Sequence, residues 1–437
     1  MLVIISDLHF IDGTAGEHNI LAKTFEEILH DLSINACNVR AKEVKLVFLG
    51  DIFDLLRTEK WFDVPINHRP WGVKSSEDRR TMEKHANHIM DAILTHDENK
   101  KSFEVLSGDL TKGFGFPIEP ERLYILGNHD RLCGEVPLLF KKGAAALNVS
   151  NNKPLHKYVN PLYGVFARHG HEYDGFNYEG TKEYTNADYL MMPIGDPITT
   201  ELVAKLPYTI MRHKKVQTLP PKEREILKRN LQEIESVRPF STIIKWLFYQ
   251  VEKDSWLADI VDDCVKEVVR EFREIDFVKS WYKKHDNLLN PIDHASLLKY
   301  VLLMLERLNL KQIEFILRFG DLASARHKDV LTNGAISEFN RLSSSFYYVV
   351  FGHTHKPAQL PIRVMDAGTQ SQRDLVYINT GTWVDKYQAA VQTGFINWNH
   401  ITYTIFYNKE EAQYTDIENI DYPIFETWNG ALKKQKS

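Results

Sequence analysis

Leu2-Val3-Ile4-Ile5-Ser6-Asp7-Leu8-His9 passes in one step from a β-branched apolar run to residues that can hold a metal, and the pattern recurs. Residues 44–49 run into Gly50-Asp51-Ile52-Phe53-Asp54, residues 123–126 into Gly127-Asn128-His129-Asp130, and residues 347–351 into Gly352-His353-Thr354-His355. A further run, 164–167, leads into Arg168-His169-Gly170-His171. Each run is short, β-branched or aromatic, and stops at glycine or polar residues, as a buried strand does. In open α/β sheets ligands gather at the carboxyl ends of strands, so these ends bearing Asp, Asn and His predict one shared site. The other Gly-Asp pairs, Gly108-Asp109, Gly195-Asp196 and Gly320-Asp321, have no second Asp three residues on and no clean strand before them.

The ordered motifs D-x-H, G-D-x-x-D, G-N-H-D, His before Gly, and G-H-x-H resemble those of the calcineurin-like metallophosphoesterase superfamily. The resemblance spans roughly residues 1–175 and 340–400 and leaves the chain between them unread. It implies an α/β fold with a four-layer α/β/β/α core. It also implies that Asp7, His9 and His355 bind one metal, that Asn128, His169 and His353 bind a second, and that Asp51 bridges the two. His169, directly after its strand and before Gly170, is expected to ligate in preference to His171. His129 is implied as general acid, with Asp54 orienting its imidazole and favouring the charged form. Two metals about 3.5–4 Å apart acidify a bridging water and clamp the oxygens of an in-line displacement at phosphorus. The activity expected is hydrolysis of a phosphate ester or pyrophosphate.

The donor set mixes carboxylate, amide oxygen and imidazole without thiolate. That suits two divalent ions of the Mn²⁺, Fe or Zn kind, Mn²⁺ first, better than a purely oxygen-seeking ion. Residues two apart on a strand point the same way, so the pleat is expected to aim Asp7 with His9, and His353 with His355. Arg131 and Arg168 stand next to motifs and are read either as phosphate contacts or as ion-pair formers. Asp130 is read as a turn or supporting residue. Trp61, Phe62 and Trp71 read as loop packing, and Trp246, Leu247 and Phe248 as helical core.

With 437 residues, 43% of them hydrophobic, the chain can bury a large core, and its net charge of -5 does not favour a nucleic-acid surface. A nuclease of the same superfamily would need a basic groove. A metal-free protein-binding scaffold on the same fold would be expected to have lost ligands, and here the set is intact. Lipid-headgroup pyrophosphatases that resemble these enzymes carry Arg where this chain has His129. The phosphorylated substrate itself is left open. No apolar run approaches the roughly 20 residues needed to span a bilayer. The opening strand leaves no room for a leader, and Cys37, Cys133 and Cys264 lack CxxC spacing, so a cytoplasmic protein is expected.

The expected organisation is a catalytic unit in two parts, residues 1–197 and 321–437, interrupted by an all-helical cap at 198–320. Helices are expected over 20–33 and over 77–95, the latter burying Met82, Ala86, Ile89, Met90 and Ile93. Another is expected over 222–237 with Leu227, Leu231 and Ile234 inward, and helical patterning continues over 240–272. After a cap at Asn290-Pro291 comes a stripe of Leu298, Val301, Leu302, Leu305 and Leu308. The proline-bearing segment 186–221 reads as a connection, and 61–71 and 108–120 read as loops. A strand is expected at 375–379, then a hairpin of 394–398 and 401–407 joined by Asn399-His400.

Overall fold

Alternate residues of the buried strands enter two different cores, which accounts for runs that are apolar at every position. The computed structural model describes residues 1–16, 20–238, 242–251, 255–285, 294–309, 312–313, 330–363, 374–390, 394–415, 417 and 421–433. In chain order its strands are β1 (Leu2–Ile5), β2 (Lys45–Leu49), β3 (Glu121–Ile125), β4 (Tyr158–Asn160), β5 (Val165–Ala167), β6 (Val237–Arg238), β7 (Tyr348–Phe351), β8 (Ala358–Arg363), β9 (Leu375–Asn379), β10 (Lys386–Ala389), β11 (Phe395–Tyr407) and β12 (Ile424–Lys433). They form a mixed α/β structure with two sheets. One runs β3-β2-β1-β11-β10-β6 with β12 paired to β11, and the other runs β4-β5-β7-β9-β8.

Strands β1, β2 and β3 are mutually parallel, and β11 joins β1 antiparallel. In the second sheet β5, β7 and β9 are parallel, with antiparallel strands at both edges. Leu2, Ile4, Val47 and Leu49 share a core with Val165, Ala167, Val350 and Ile378, so the sheets pack face to face there. Val3, Ile5, Leu46 and Phe48 point the other way, into helices that include Ala22–Asn38 and Ser76–Thr95. Phe166, Val349, Phe351 and Tyr377 pack against the helix Val330–Phe339. The helix Ser76–Thr95 buries the five residues its periodicity predicts.

Several expectations change. Residues 394–407 form no hairpin: β11 is one continuous strand, with Asn399 opposite Leu432 and His400 opposite Ala431. A tight two-residue turn favours φ > 0 and usually a glycine, which Asn-His does not offer, and β12 supplies a partner along the whole strand. Segment 186–221 is largely helical. A π-helix at Ile198–Ala204 runs directly into a helix at Lys205–Arg212, so Pro207 lies inside one continuous helical run. Leu110–Phe114 is a short helix within the expected loop 108–120.

The segment expected to be an all-helical cap contributes β6, parallel to β10. Its Leu206, Ile210, Leu231, Ile234 and Trp246 belong to the same buried cluster as the outer face of the first sheet. Leu247 is also buried, in keeping with helical core at that place. In the helix His294–Arg307, Leu298 and Leu302 are buried while Val301 is 40% exposed, so the stripe is narrower than predicted. Asn290-Pro291 and Gly320-Asp321 lie outside the described residues.

Candidate metal centre

The residues carrying potential ligands leave their strands through left-handed turns. Asp7 (φ 53°), His9 (φ 47°), Asp51 (φ 52°), His353 (φ 69°) and His355 (φ 59°) are five of the eight non-glycine residues with positive φ among the described residues. Such backbone costs of order 1–3 kcal/mol per residue and concentrates at functional sites. β1 ends at Ile5 and β7 at Phe351, so these turns aim the paired side chains, and the strand pleat invoked above does not.

Backbone bonds lock the turns together. The Asp7 N–H donates to Gly50 O at 3.0 Å, the His9 N–H to Asp51 O at 2.9 Å, and the Gly352 N–H to His169 O at 2.9 Å. The His129 N–H donates to Asp51 Oδ1 at 2.8 Å. Two motif glycines are required by close approach: a Cβ on Gly50 would overlap the His169 ring, and one on Gly352 would overlap Asp7.

Three groups of ligand atoms, Asp7/His9/His355, His9/Asp51/His129 and Asp51/His169/His353, each lie within 4.8 Å of one another. His9 and Asp51 each belong to two groups, which fuses them into one centre. His355 Nε2 is 3.3 Å from Asp7 Oδ1 and 3.0 Å from His9 Nε2. His169 Nε2 lies 3.1 Å from Asp51 Oδ2. On its far side His169 Nδ1 bonds the Leu49 carbonyl at 2.9 Å, which makes Nδ1 the donor. Asn128 sits on the turn beside His129. Its Nδ2 reaches Asn177 Oδ1 at 3.4 Å, while its buried Oδ1 has no hydrogen-bond partner.

Asp54 serves two imidazoles at once: Oδ2 is 2.9 Å from His9 Nδ1, and Oδ1 is 2.9 Å from His129 Nδ1. The Arg57 N–H fixes Oδ1 at 2.9 Å. Asp130 accepts from the Ile52 and Gly127 N–H groups and from the Tyr124 hydroxyl, so it pins the turn that carries Asn128 and His129.

Burial alone would raise all three carboxyls, but neighbouring imidazoles outweigh it. Asp7 is lowered chiefly by His169 and His355, Asp51 is held well below the usual carboxylate range by His169 and His129, and Asp54 is held low by His129 and His9. Burial pulls the His169 pKa down, yet Asp51 and Asp7 push it up to about 10. The centre therefore demands positive charge. A metal ion would meet that demand in place of the protons, and the orphaned Asn128 Oδ1 is an acceptor awaiting a cation. The residues fit divalent metals.

His171 lies outside these groups. It is buried with its ring 5.4 Å from that of His169, and burial takes its pKa down to about 3. Both arginines are engaged elsewhere. Arg131 binds Asp196 at 2.9 Å and Glu135 at 3.1 Å, and Arg168 faces Glu338 at 3.4 Å and Glu172 at 3.9 Å. Trp61 and Trp71 are buried in packing, with their indole N–H groups on Leu55 O and Glu201 Oε1.

Two contributors escaped the sequence reading. Asp174 Oδ2 holds His353 Nε2 at 3.0 Å but follows no strand, so no signal marks it. Asn379, at the carboxyl end of β9, donates to Gly352 O at 2.7 Å, and the strand-end pattern that revealed the other motifs would have found it. Among the described residues no helix is long and apolar enough to cross a membrane. No family model matches the sequence, and no curated protein matches it.

Proposed function

We propose that this chain is a dinuclear-metal phosphoric ester hydrolase on the four-layer α/β/β/α fold of the calcineurin-like metallophosphoesterases. The observation that carries the reading is the fusion of three ligand groups through His9 and Asp51. Asp7, His9 and His355 would hold one ion, Asn128, His169 and His353 the other, with Asp51 between them; Mn²⁺ is the first choice. Ions bound there would acidify water and neutralise charge developing on a phosphoryl group.

The chain's own residues supply the remainder. Asp54 accepts from His129 Nδ1, which orients the ring and stabilises its protonated form, and His129 delivers that proton to the leaving oxygen. Asp174 and Leu49 O fix the rings of His353 and His169 from behind, as supporting acceptors do for metal-ligating histidines. His129 also falls in a ligand group with His9 and Asp51, and both imidazoles hold Asp54 through Nδ1, so the leaving-group test below separates the acid role from a ligand role.

The test is a panel of phosphomonoesters, diesters and pyrophosphates assayed with Mn²⁺, Zn²⁺ and Mg²⁺ added separately, beside elemental analysis. Two ions per chain and metal-dependent release of phosphate are expected, and Asp51→Asn should remove both while the protein stays folded. Absence of bound transition metal after reconstitution would refute the reading. In the same assay, His129→Ala should slow esters with poor leaving groups by about 10²–10⁴-fold and activated aryl esters little. Equal losses on both would make His129 a structural residue.

A further inference from the structure

One oxygen, Asp174 Oδ2, meets two side chains. His353 Nε2 lies 3.0 Å from it, and Asn177 Nδ2 donates to it at 2.8 Å. The other oxygen, Oδ1, accepts from the Phe176 N–H at 2.9 Å, and the Asn177 N–H donates to Asp174 O at 2.9 Å. Asp174 and Asn177 are thus held in a tight turn of the kind Asp side chains favour. The seat of Asn177 is equally specific. The Gly195 N–H donates to Phe176 O at 2.7 Å, and a Cβ on Gly195 would come within 2.3 Å of Asn177 Oδ1.

A carboxylate only accepts, so the direction of every bond outward from this oxygen is fixed. Towards His353 it makes Nε2 the donor and leaves the lone pair on Nδ1. Towards Asn177 it takes the amide nitrogen, which leaves Asn177 Oδ1 to accept from Asn128 Nδ2 at 3.4 Å. Asn128 therefore gives its donor to the loop and keeps its buried Oδ1, the atom without a hydrogen-bond partner. Turning the Asn128 amide over would set oxygen against oxygen.

We infer that Asp174 and Asn177 are positioning residues that select the coordinating atoms of one ion, Asn128 Oδ1 and His353 Nδ1, an inference that rests on the dinuclear reading proposed above. Asn128 follows β3 of one sheet and His353 follows β7 of the other, and this short turn bonds to both. The proposed site of the other ion has its own support, since His9 is steadied by Asp54. Loss of the turn's two side-chain bonds therefore affects one ion and spares its neighbour.

The full chain is titrated with Mn²⁺ by calorimetry and read by electron paramagnetic resonance, which separates a magnetically coupled pair of ions from an isolated one. The parent binds two ions and gives the coupled signal. Asn177→Leu keeps the bulk and removes both amide bonds; it weakens one ion about 10–100-fold and leaves the other near its parent affinity. At Mn²⁺ concentrations that fill the parent, this variant shows the isolated signal. Gly195→Ala displaces Asn177 without removing it, shifts binding in the same direction, and decides the matter if Asn177→Leu does not fold by circular dichroism. Asn128→Asp supplies the check that a merely structural role would fail. A carboxylate presents oxygen whichever way it turns, so Asn128→Asp combined with Asn177→Leu binds the weakened ion more tightly than Asn177→Leu alone. Folded variants with parent affinity for both ions, or a double variant no tighter than Asn177→Leu, overturn the positioning role and leave the dinuclear reading in place. A parent that binds no Mn²⁺ removes the dinuclear reading and this inference with it.

Discussion

Asp54 is buried between two imidazoles, with Oδ2 on His9 and Oδ1 on His129, which the proposed reading makes a metal ligand and a general acid. Removing it therefore has two separable consequences. Asp54→Ala is expected to weaken metal binding about 10–100-fold, the usual cost of losing a supporting partner. It should also reproduce the leaving-group-dependent loss of His129→Ala, whose metal affinity should stay near that of the parent. Chelator competition reads the first effect and a leaving-group series the second, and unchanged metal affinity in Asp54→Ala would remove the His9 role. The proton on His169 gives a further expectation. Its pKa is raised from 6.5 to about 10 in the metal-free fold. The stability it lends is therefore fully present below pH 6.5 and lost as pH rises through about 10. A metal must displace that proton, so loading at pH 8 should release protons. Calorimetry in two buffers of different ionisation enthalpy measures the number released, and a value of zero would contradict the account.

Elements were legible where burial imposes a simple period. β1, β2, β3, β5, β7 and β9 coincide with apolar runs read from sequence, because the strands are buried on both faces. What escaped depends on distant partners. Nothing local tells Asn399-His400 that β12 will pair across it. Nor does residue spacing reveal that Asp7, His9, His353 and His355 meet through positive-φ turns, since a pleat would also put residues two apart together. Spacing also leaves unseen how the segment that begins at residue 198 is fastened to the chain before it. Glu201, in the π-helix at its start, is 1% exposed and accepts from Arg69 at 2.6 Å and Trp71 at 2.8 Å, while Thr200 donates to Leu56 O. The central segment is thus fastened to the loop that follows Asp54. Breaking a buried pair from one side costs about 3–5 kcal/mol, and Arg69 keeps its bonds to Val64 O, so Glu201→Ala should sit near the lower figure. Urea denaturation measures it, and a loss below about 1 kcal/mol would mean that this contact does not join the segments.

Across the whole molecule, the centre draws its residues from both sheets. Asp7, His9, Asp51 and Asn128 follow β1, β2 and β3, whereas His169, His353 and His355 follow β5 and β7. Between the sheets lies an apolar core that stops where the two sets of turns converge, and there buried carboxylates face imidazoles. Ions bound at that edge would clasp one sheet to the other and hold the five strained residues in place. Metal should therefore stabilise the fold as a whole as well as enable turnover. A ligand that binds only the native state adds about 2.7 kcal/mol per site at 100 times its dissociation constant. The melting temperature should accordingly climb with Mn²⁺ concentration and fall on chelation. Hydrogen exchange should slow on loading at residues 7–10, 51–54, 169–173 and 353–356 together, since one clasp restrains all four turns. Protection confined to the turns of a single sheet, or a melting temperature indifferent to both Mn²⁺ and chelator, would show that the metals do not bridge the sheets.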